Sequence, residues 1–480
     1  MYEKFGQFID GKWQPSEKKE TYEVINPANE EVIGHASKAT PADVEKALKS
    51  AEKGLEVWKK TPPWKRSAII RKIADLIRAK QDVLAKWLTL EVGKPFAEGK
   101  GEVGGTADIF EWNSEETKRI YGQTVESRFE DTRVHIYYQP VGVVAAMVPW
   151  NFPLVLAARK ISTALAAGCS VICKPDVIAP GSVMELVDIC KEAGVPPGVV
   201  NLLSGDPPSI ASQLISSDII KKVSITGSTR VGKLILKQAA EKVQRVTMEL
   251  SGHAPFIVFD DVNIDKVTDV AIACKYRNNG QVCISPSRFY IHESKKEEFA
   301  KSFVEKTKKL KIGNGLDEGV QLGPLTTKKR LEEVEQLVEE TKKEGAKVLC
   351  GGQRPAGFNK GYFYEPTIFD NVKDNFKIMT VEPFGPLSPI TTFKNFDEVI
   401  KRANNHSAGL AGYVCTNSMD LAYKTSEALE TGMVAVNTPF LSSAETPFGG
   451  IKQSGYGREG GSVGIKDYLN LKYTHLGILN

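Results

Sequence analysis

The sequence has little of what would build a cross-linked or metal-bound protein. Its seven cysteines are an odd and scattered set, and no two of them form a CxxC pair. Its six histidines show neither HxxxH nor HExxH spacing, so the sequence predicts no disulfide framework and no zinc site. Unpaired cysteines are typical of a reducing compartment, and we therefore expect a cytoplasmic protein.

Long apolar runs and an excess of charge are also missing. No stretch approaches the roughly 18 consecutive apolar residues of a membrane-spanning helix, and the N-terminus lacks the apolar core of a secretion signal. The 63 basic and 59 acidic residues leave a formal charge of +4 and are interspersed, so neither a membrane nor a nucleic-acid partner is expected. With 41 glycines and 25 prolines in 480 residues, a collagen-like or low-complexity chain is excluded too.

What the chain does have is length and an ordinary globular composition. Its 480 residues, 41% hydrophobic and 25% charged, predict two or three domains whose cores need no cross-links. Thr40 can cap a first strong helix, and a second, long helical pattern covers residues 64–91. From Pro140 onward, short apolar strands alternate with helices, which is typical of a parallel sheet covered on both faces in a dinucleotide-binding fold. A second α/β series begins near residue 255, and its first helix is predicted over residues 265–278.

These series predict an α/β protein of two domains with a small additional element. Residues 1–126 and 140–248 are assigned to a Rossmann-like nucleotide-binding domain, and residues 249–445 to a second α/β domain. Residues 127–139, which alternate in a hairpin-like pattern, and residues 446–480 fit neither series. We predict that they form a small β element, whose projecting strands pair between subunits, together with the C-terminal tail.

Two segments at the ends of predicted elements carry side chains suited to covalent chemistry. In GQVC at residues 280–283, a glycine just before a cysteine allows a tight turn that exposes the sulfur, although most cysteines are simply buried as small hydrophobes. In PWNFP at residues 149–153, which follows an apolar strand, two prolines hold the backbone around Asn151. The Asn151 amide could donate to an oxyanion, and the alternative is a rigid loop with a structural asparagine.

Two further segments suit a phosphate and a base. TGSTRVG at residues 226–232 lies between a strand and a helix, where its glycines allow a close backbone approach to a phosphate or merely cap a turn. MELSG at residues 248–252 lies at the junction of the two α/β series, where Glu249 is either a general base beside a nucleophile or a solvated surface charge. A fifth segment, EPFGP at residues 382–386, is too short to mean much alone.

Together and in this order, the segments resemble the aldehyde dehydrogenase superfamily over essentially the whole chain. The matching motifs are PWNFP at 149–153, KP at 174–175, the GSTRVG turn, MELSG at 248–252, GQVC at 280–283, EPFGP at 382–386 and PFGG at 447–450. Ser251 and Pro383 depart from the family's usual glycine and aliphatic residue, and neither departure removes a catalytic group. The resemblance implies an aldehyde dehydrogenase fold: a Rossmann-like NAD(P)-binding domain, an α/β catalytic domain and a small β oligomerisation element in a homodimer or homotetramer.

The resemblance also implies a reaction and the residues that carry it. Cys283 would form a thiohemiacetal and then a thioacyl enzyme, with the oxyanion held by the Asn151 amide and the Cys283 backbone N–H. Glu249 would activate the water that releases the acid, and its presence favours hydrolysis over transfer to coenzyme A. The residues that resemble the family's cofactor ligands are Trp150, Lys174, Gly227, Ser228, Leu250, Glu382 and Phe384.

The cofactor implied by the resemblance is NAD or NADP. In NAD-preferring relatives, a glutamate three residues after the lysine of the KP motif repels a 2′-phosphate, and here that position is Val177. Asp176 is adjacent but is expected to point elsewhere. Without the negative charge, NADP should be tolerated, and we hypothesise dual use.

Three residues, Arg159, Arg277 and Ser442, resemble the carboxylate-binding trio of succinate-semialdehyde dehydrogenases. Arginine binds a carboxylate through two parallel hydrogen bonds, although either arginine could instead make a structural salt bridge. The expected substrate is a short aldehyde with a distal carboxylate, above all succinate semialdehyde. Glutarate or 2-oxoglutarate semialdehyde would fit the same clamp, and lactaldehyde, glyceraldehyde and betaine aldehyde are further alternatives. A non-catalytic binding protein on the same fold and a hydroxy-acid dehydrogenase, which needs no cysteine nucleophile, are the alternatives of other classes.

Overall fold

Capping and turn residues determine where many of the helices begin and end. In the computed structural model, which describes residues 2–478, Thr40 caps the first helix and forms a capping box with Asp43. Gly168 and Gly194, both in the left-handed conformation, end two later helices.

From residue 143 to residue 249 strands and helices alternate as the sequence predicts, whereas four helices in succession occupy most of residues 41–116. The helices are α1 (Pro41–Trp58), α2 (Pro63–Ala79), α3 (Gln81–Val92), α4 (Phe96–Glu116), α5 (Pro153–Ala167), α6 (Gly181–Ala193), α7 (Pro207–Ser216), α8 (Thr229–Ala240), α9 (Ile264–Lys275), α10 (Lys296–Thr307), α11 (Lys328–Lys343), α12 (Lys377–Thr380), α13 (Phe396–Asn404), α14 (Met419–Ala428) and α15 (Gly461–Gly464). The strands are β1 (Gln7–Ile9), β2 (Lys12–Gln14), β3 (Thr21–Ile25), β4 (Val32–Ser37), β5 (Gln123–Glu126), β6 (Thr132–Pro140), β7 (Val143–Met147), β8 (Ser170–Lys174), β9 (Val200–Leu202), β10 (Ile220–Thr226), β11 (Arg245–Glu249), β12 (Ala254–Val258), β13 (Pro286–His292), β14 (Lys347–Cys350), β15 (Thr367–Asp370), β16 (Leu387–Phe393), β17 (Ala408–Gly409), β18 (Ala411–Cys415), β19 (Met433–Val436), β20 (Ile451–Lys452), β21 (Gly455–Tyr456) and β22 (Leu469–Gly477).

The first large sheet is built mostly from buried parallel strands. Its order is β2-β1-β9-β8-β7-β10-β11-β21, in which β9, β8, β7, β10 and β11 are parallel and the outer strands antiparallel. Alternate residues of the fully buried strand β7 pack into different apolar clusters. Val144 and Ala146 belong to the cluster on one face, and Val143 and Ala145 belong to the cluster on the other. This confirms the predicted parallel sheet covered on both faces.

The second large sheet has the same character and is joined directly to the first. Its order is β14-β15-β16-β13-β12-β18-β19, and every neighbouring pair is parallel except β14 with β15. Strand β11 of the first sheet ends at Glu249 and strand β12 of the second begins at Ala254, so four residues cross between the sheets. The fold class predicted from the sequence, a Rossmann-like α/β unit, a second α/β unit and a small β element, is confirmed.

The small β element is an antiparallel sheet in the order β22-β6-β5. Strand β22 pairs with β6 along its whole length and leaves Leu471 and Tyr473 exposed. The predicted segment 127–139 contains only the turn and most of β6, and the partner strand β5 begins earlier, at Gln123. The domain boundaries and the pairing of these strands between subunits stay predictions.

Two parts of the helical layer differ from the sequence pattern. The single helix predicted over residues 64–91 is wrong, because Lys80 leaves the helical region (φ −103°, ψ 22°) and separates α2 from α3. The sequence pattern does not predict helix α4, because four glycines lower its helix propensity. Packing against α2, α3 and α5 stabilises the helix instead. Gly99 allows the close approach to α3, where a Cβ would lie 3.1 Å from the Ala85 carbonyl oxygen. The sequence pattern also does not predict helices α13 and α14 and strand β15.

Within residues 2–478 no helix has the length and apolar character to cross a bilayer.

Candidate active site

The Cys283 thiol is placed by a turn of three consecutive left-handed residues. Helix α9 ends at Lys275, earlier than predicted, because Asn278 (φ 48°), Asn279 (φ 55°) and Gly280 (φ 72°) cannot continue it. Only glycine fits the third position, since a Cβ on Gly280 would lie 2.2 Å from the carbonyl oxygen of Gly385. The tight turn expected from the sequence is therefore present, and it begins two residues before the glycine.

Cys283 lies in the wall between two cavities. Asn151 and Cys283 line both a cavity of about 200 Å³ beside the first sheet and a cavity of about 280 Å³ on the opposite side. Burial, together with the carboxylates of Glu382 and Glu249, raises the pKa of the Cys283 thiol to about 12. The resting thiol is therefore neutral, and it must lose its proton to a base before it can act as a nucleophile.

The residues predicted to bind a cofactor meet in two adjoining cavities on the first-sheet side. The inner cavity is lined by Trp150, Gly227, Ser228, Leu250, Glu382 and Phe384. The outer cavity, of about 470 Å³, is lined by Lys174 and shares Trp150, Gly227 and Ser228 with the inner one. Ser228 caps α8 and accepts a hydrogen bond from the Val231 N–H, so the positive end of that helix lies at this cavity wall.

This shape fits a dinucleotide. A Cβ on Gly227 would meet no atom within 4 Å, so the backbone there is open to a phosphate at the N-terminus of α8. The Glu382 carboxylate, whose pKa burial raises to about 7, accepts a hydrogen bond from the Gly252 N–H at 3.2 Å and lines the inner cavity, where it can bind ribose hydroxyls. The predicted cofactor residues therefore lie together along one continuous groove.

Asp176 does not point away from this groove, and that expectation is wrong. Its Oδ1 accepts a hydrogen bond from the Ile178 N–H at 3.1 Å, which folds the segment after Pro175 back on itself. The carboxylate therefore lines the outer cavity with Lys174, whereas Val177 is not among the lining residues. Burial raises the pKa of Asp176, and Lys174 lowers it.

The predicted substrate residues meet on the other side of Cys283. Arg159, Arg277 and Ser442 line the 280 Å³ cavity together with Cys283. Arg159 is 2% exposed, and its Nη2 donates to Ser442 Oγ at 2.9 Å, so this arginine is held in place by the serine. Arg277 is exposed and lies over the ring of Phe152 at 4.9 Å, and no carboxylate among residues 2–478 lies within 4 Å of its guanidinium. The salt bridge considered as an alternative for Arg277 is thus not formed.

Glu249 ends β11 as a buried carboxylate, and neither of its oxygens has a hydrogen-bond partner within residues 2–478. Burial raises its pKa well above the ordinary value, the neighbouring Glu459 raises it further, and Lys160 and Arg159 lower it. Gly449 of the PFGG motif makes room for it, because a Cβ there would lie 2.7 Å from Glu249 Oε1. Such a carboxylate takes up a proton readily, as a general base must.

The pair beside Glu249 was missed by the sequence prediction. Lys160 and Glu459 form a buried ion pair, and Lys160 Nζ also donates to Thr226 Oγ1 at 2.8 Å. Lys160 directly follows Arg159 on α5, which is the only signal that could have indicated it. Glu459 carries no local signal, since a glutamate in the glycine-rich segment 455–461 is typical of a surface turn.

Asn151 is held on two sides. Its Nδ2 donates to the Gln281 carbonyl oxygen at 3.1 Å, which uses one of its two N–H groups and leaves the other for a ligand. Its backbone carbonyl oxygen accepts from Asn278 Nδ2 at 3.0 Å and from Lys94 Nζ at 2.9 Å.

No three His, Cys, Asp or Glu side chains in the described part of the chain are arranged to hold a metal ion.

Known proteins resemble this chain over nearly its full length. Residues 13–474 match the Aldehyde dehydrogenase family. The chain is 41% identical to the glutarate-semialdehyde dehydrogenase of Pseudomonas putida and 41% identical to the succinate-semialdehyde dehydrogenase [NADP(+)] GabD of Escherichia coli, with 98% of this chain and 97% of each relative covered. The crystal structure of succinate-semialdehyde dehydrogenase from Burkholderia pseudomallei superimposes with a TM-score of 0.97 at 40% identity and covers 99% of this chain and 98% of its own.

Substituting Gly280 tests the turn that places the thiol. Gly280→Ala should lower the free energy of unfolding by about 2 kcal/mol or more, because the left-handed conformation costs an alanine roughly 1 kcal/mol and the new Cβ collides with the Gly385 carbonyl. Thermal unfolding measures the effect. Gly194→Ala is the matched control, since its φ is +99° and a Cβ there meets nothing within 4 Å. Equal losses in the two variants would contradict the close approach to Gly385.

Proposed function

The chain belongs to the aldehyde dehydrogenase family, and from that premise we propose that it oxidises a short aldehyde bearing a distal carboxylate, succinate semialdehyde first among them, to the carboxylic acid. One observation carries the proposal: a single cavity holds the Cys283 thiol, the exposed guanidinium of Arg277 and the Arg159–Ser442 pair. A dicarboxylic semialdehyde has an electrophilic carbon at one end and an anion at the other, and this cavity offers a partner to each.

In the first step the Cys283 thiol gives its proton to solvent, the resulting thiolate attacks the aldehyde carbon, and the carbonyl oxygen becomes an oxyanion. The free N–H of the Asn151 amide and the Cys283 backbone N–H are the proposed donors to that oxygen, and one such donor contributes about 2.7–4 kcal/mol in enzymes of known mechanism. The groove of Trp150, Ser228 and Glu382 would hold NAD or NADP, which in its oxidised form would accept the hydride lost by the former aldehyde carbon. The enzyme is then left as a thioester of Cys283.

Glu249 is the proposed base of the second step. Its carboxylate takes a proton from a water molecule, the water oxygen attacks the thioester carbon, and the Cys283 sulfur leaves as the acid is released. The unpartnered oxygens and raised pKa of Glu249 support this role. The Lys160–Glu459 pair beside it helps to set that pKa, since Glu459 raises it and Lys160 lowers it.

The charge of the substrate cavity separates the alternatives. Glutarate and 2-oxoglutarate semialdehyde carry the same two functional groups as succinate semialdehyde and remain second candidates, which the glutarate-semialdehyde name of one relative favours. Betaine aldehyde, lactaldehyde and glyceraldehyde carry no carboxylate and would leave the exposed Arg277 without an anion. A binding protein without catalysis would need no cysteine, asparagine and glutamate around one cavity wall.

The proposal extends to assembly and location. We infer a homodimer or homotetramer in which the β22-β6-β5 sheet pairs between subunits, and the exposed Leu471 and Tyr473 support it. A cytoplasmic location is supported by seven cysteines that are all free.

Removing Arg277 tests the proposed substrate. Arg277→Ala should raise the KM for succinate semialdehyde about 10- to 100-fold, because a hydrogen-bonded charge pair contributes roughly 1.5–3 kcal/mol, and should leave kcat nearly unchanged. Steady-state kinetics with succinate, glutarate and 2-oxoglutarate semialdehydes and the neutral butanal measure this. The KM for butanal should not move, and the exposed Arg354→Ala is the control variant. An unchanged KM for all the semialdehydes in Arg277→Ala would refute the clamp.

Removing the Glu249 charge tests the division into two steps. Glu249→Gln should keep the initial burst of reduced cofactor but slow steady-state turnover about 100-fold or more, because only hydrolysis of the thioester uses the base. Stopped-flow absorbance at 340 nm measures both phases. The wild-type turnover should fall as the pH drops through the raised pKa of Glu249, since the protonated carboxyl cannot accept a proton. Cys283→Ser should lose the burst; a Glu249→Gln variant without a burst but with normal turnover would contradict the assignment.

Asp176 is expected to set the balance between the cofactors. Asp176→Ala should raise the ratio of kcat/KM with NADP to that with NAD by about tenfold, because it removes a negative charge beside Lys174 where a 2′-phosphate would lie. Initial rates at varied cofactor concentration check it. The exposed Asp218→Ala should leave the ratio unchanged. If Asp176→Ala also leaves the NADP-to-NAD ratio unchanged, the Asp176 carboxylate does not face the ribose.

A further inference from the structure

A buried ion pair lies directly behind the proposed oxyanion site. Lys94, in the turn between α3 and α4, pairs with Glu102 of α4, and neither side chain has any exposed surface. Lys94 Nζ also donates to the backbone carbonyl oxygen of Asn151 at 2.9 Å and lies 3.8 Å from the centre of the Phe152 ring. The cation therefore contacts two successive residues of the PWNFP loop.

Glu102 holds the other end of the same loop. Its Oε1 accepts the backbone N–H groups of Leu154 at 3.0 Å and Val155 at 3.3 Å, in the first turn of α5. Helix α5 has no capping side chain of its own, since Phe152 occupies that position. Glu102 thus supplies from α4 both the missing acceptor and the negative charge that a helix N-terminus favours.

The two contacts hold the backbone at Asn151 and directly after it. Lys94 fixes its carbonyl oxygen, and Glu102 fixes the helix that begins just after it. Rotation of the Asn151 backbone would break both contacts and would also turn the side-chain amide away from the Gln281 carbonyl. We propose that Lys94 and Glu102 are positioning residues that aim the Asn151 amide at the aldehyde oxygen, an inference that rests on the proposed role of Asn151.

Stability alone does not account for charge at this place. Burying an ion pair costs desolvation energy, and apolar side chains of similar volume are often equally stable. This pair differs from such a replacement because its remaining hydrogen bonds go to the backbone of Asn151 and of the helix turn that follows it. The ion pair can fix the orientation of Asn151, which an apolar pair cannot do. An apolar pair could supply the same folding free energy.

The test separates geometry from stability. The variants are Lys94→Met, Glu102→Gln and the double variant Lys94→Met with Glu102→Met. The burst rate constant at saturating succinate semialdehyde, the KM and the melting temperature are measured for each. Lys94→Met should slow the burst at least tenfold with the KM within twofold of wild type. The double variant should regain most of the melting temperature, because it leaves no unpaired buried charge, while its burst stays slow.

Glu91 offers a matched control. It is a buried carboxylate that accepts the N–H groups of Gly181 and Ser182 at the start of α6, as Glu102 does for α5, and it lines none of the three cavities described above. Glu91→Gln should lower the melting temperature but keep the burst rate constant within twofold of wild type.

Two results would overturn the inference: a Lys94→Met burst within twofold of wild type, or a double variant whose burst recovers together with its melting temperature. An equal loss of burst in Glu91→Gln would count against it as well. If Lys94→Met does not fold, Glu102→Gln and the double variant give the same comparison. A wild-type enzyme with no burst that depends on Cys283 would instead refute the proposed function, and this is seen before any variant is compared.

Discussion

Three left-handed residues in succession, Asn278 to Gly280, are the constraint on which the rest of the site depends. They stop α9 early and return the chain so that Cys283 lies in the wall shared by two cavities. A longer helix would carry the thiol away from that wall. The close approach of Gly280 to the Gly385 carbonyl brings the turn against the EPFGP segment, which carries Glu382.

The two sides of this wall have different electrostatics. On the substrate side, Arg159 is held by Ser442, and no carboxylate among residues 2–478 lies within 4 Å of the Arg277 guanidinium, although Glu98 lines the same cavity. On the cofactor side, the acids Glu249 and Glu382 have raised pKa values because they are buried. Asn151 and Cys283 are the residues that the linings of the two cavities share.

The sequence predicts the α/β layers and the convergence of the site residues well, because both depend on short-range signals. Apolar strands bounded by turns identify the first sheet, and the motif residues follow the carboxyl ends of those strands, which must meet at one edge. Side-chain direction and long-range pairing are harder to predict. The Asp176 carboxylate turns into the groove through a local hydrogen bond to Ile178 that composition does not indicate. Glu459 reaches Lys160 only because the fold brings the C-terminal segment next to α5. Helix α4 forms despite its four glycines, because it packs against neighbouring helices.

Three of the buried charges around Asn151 and Glu249 follow one physical rule, and Glu249 departs from it. Lys94, Glu102 and Lys160 each have an opposite charge and at least one further hydrogen bond, which offsets much of the cost of removing them from water. Glu249 has the burial without the partners, and its neighbouring Glu459 adds repulsion. A carboxylate stabilised by hydrogen bonds would have a low pKa and would be a weak base. The missing partners therefore suit the proposed role of Glu249 as a base, while Lys94 and Glu102 hold the backbone at and after Asn151.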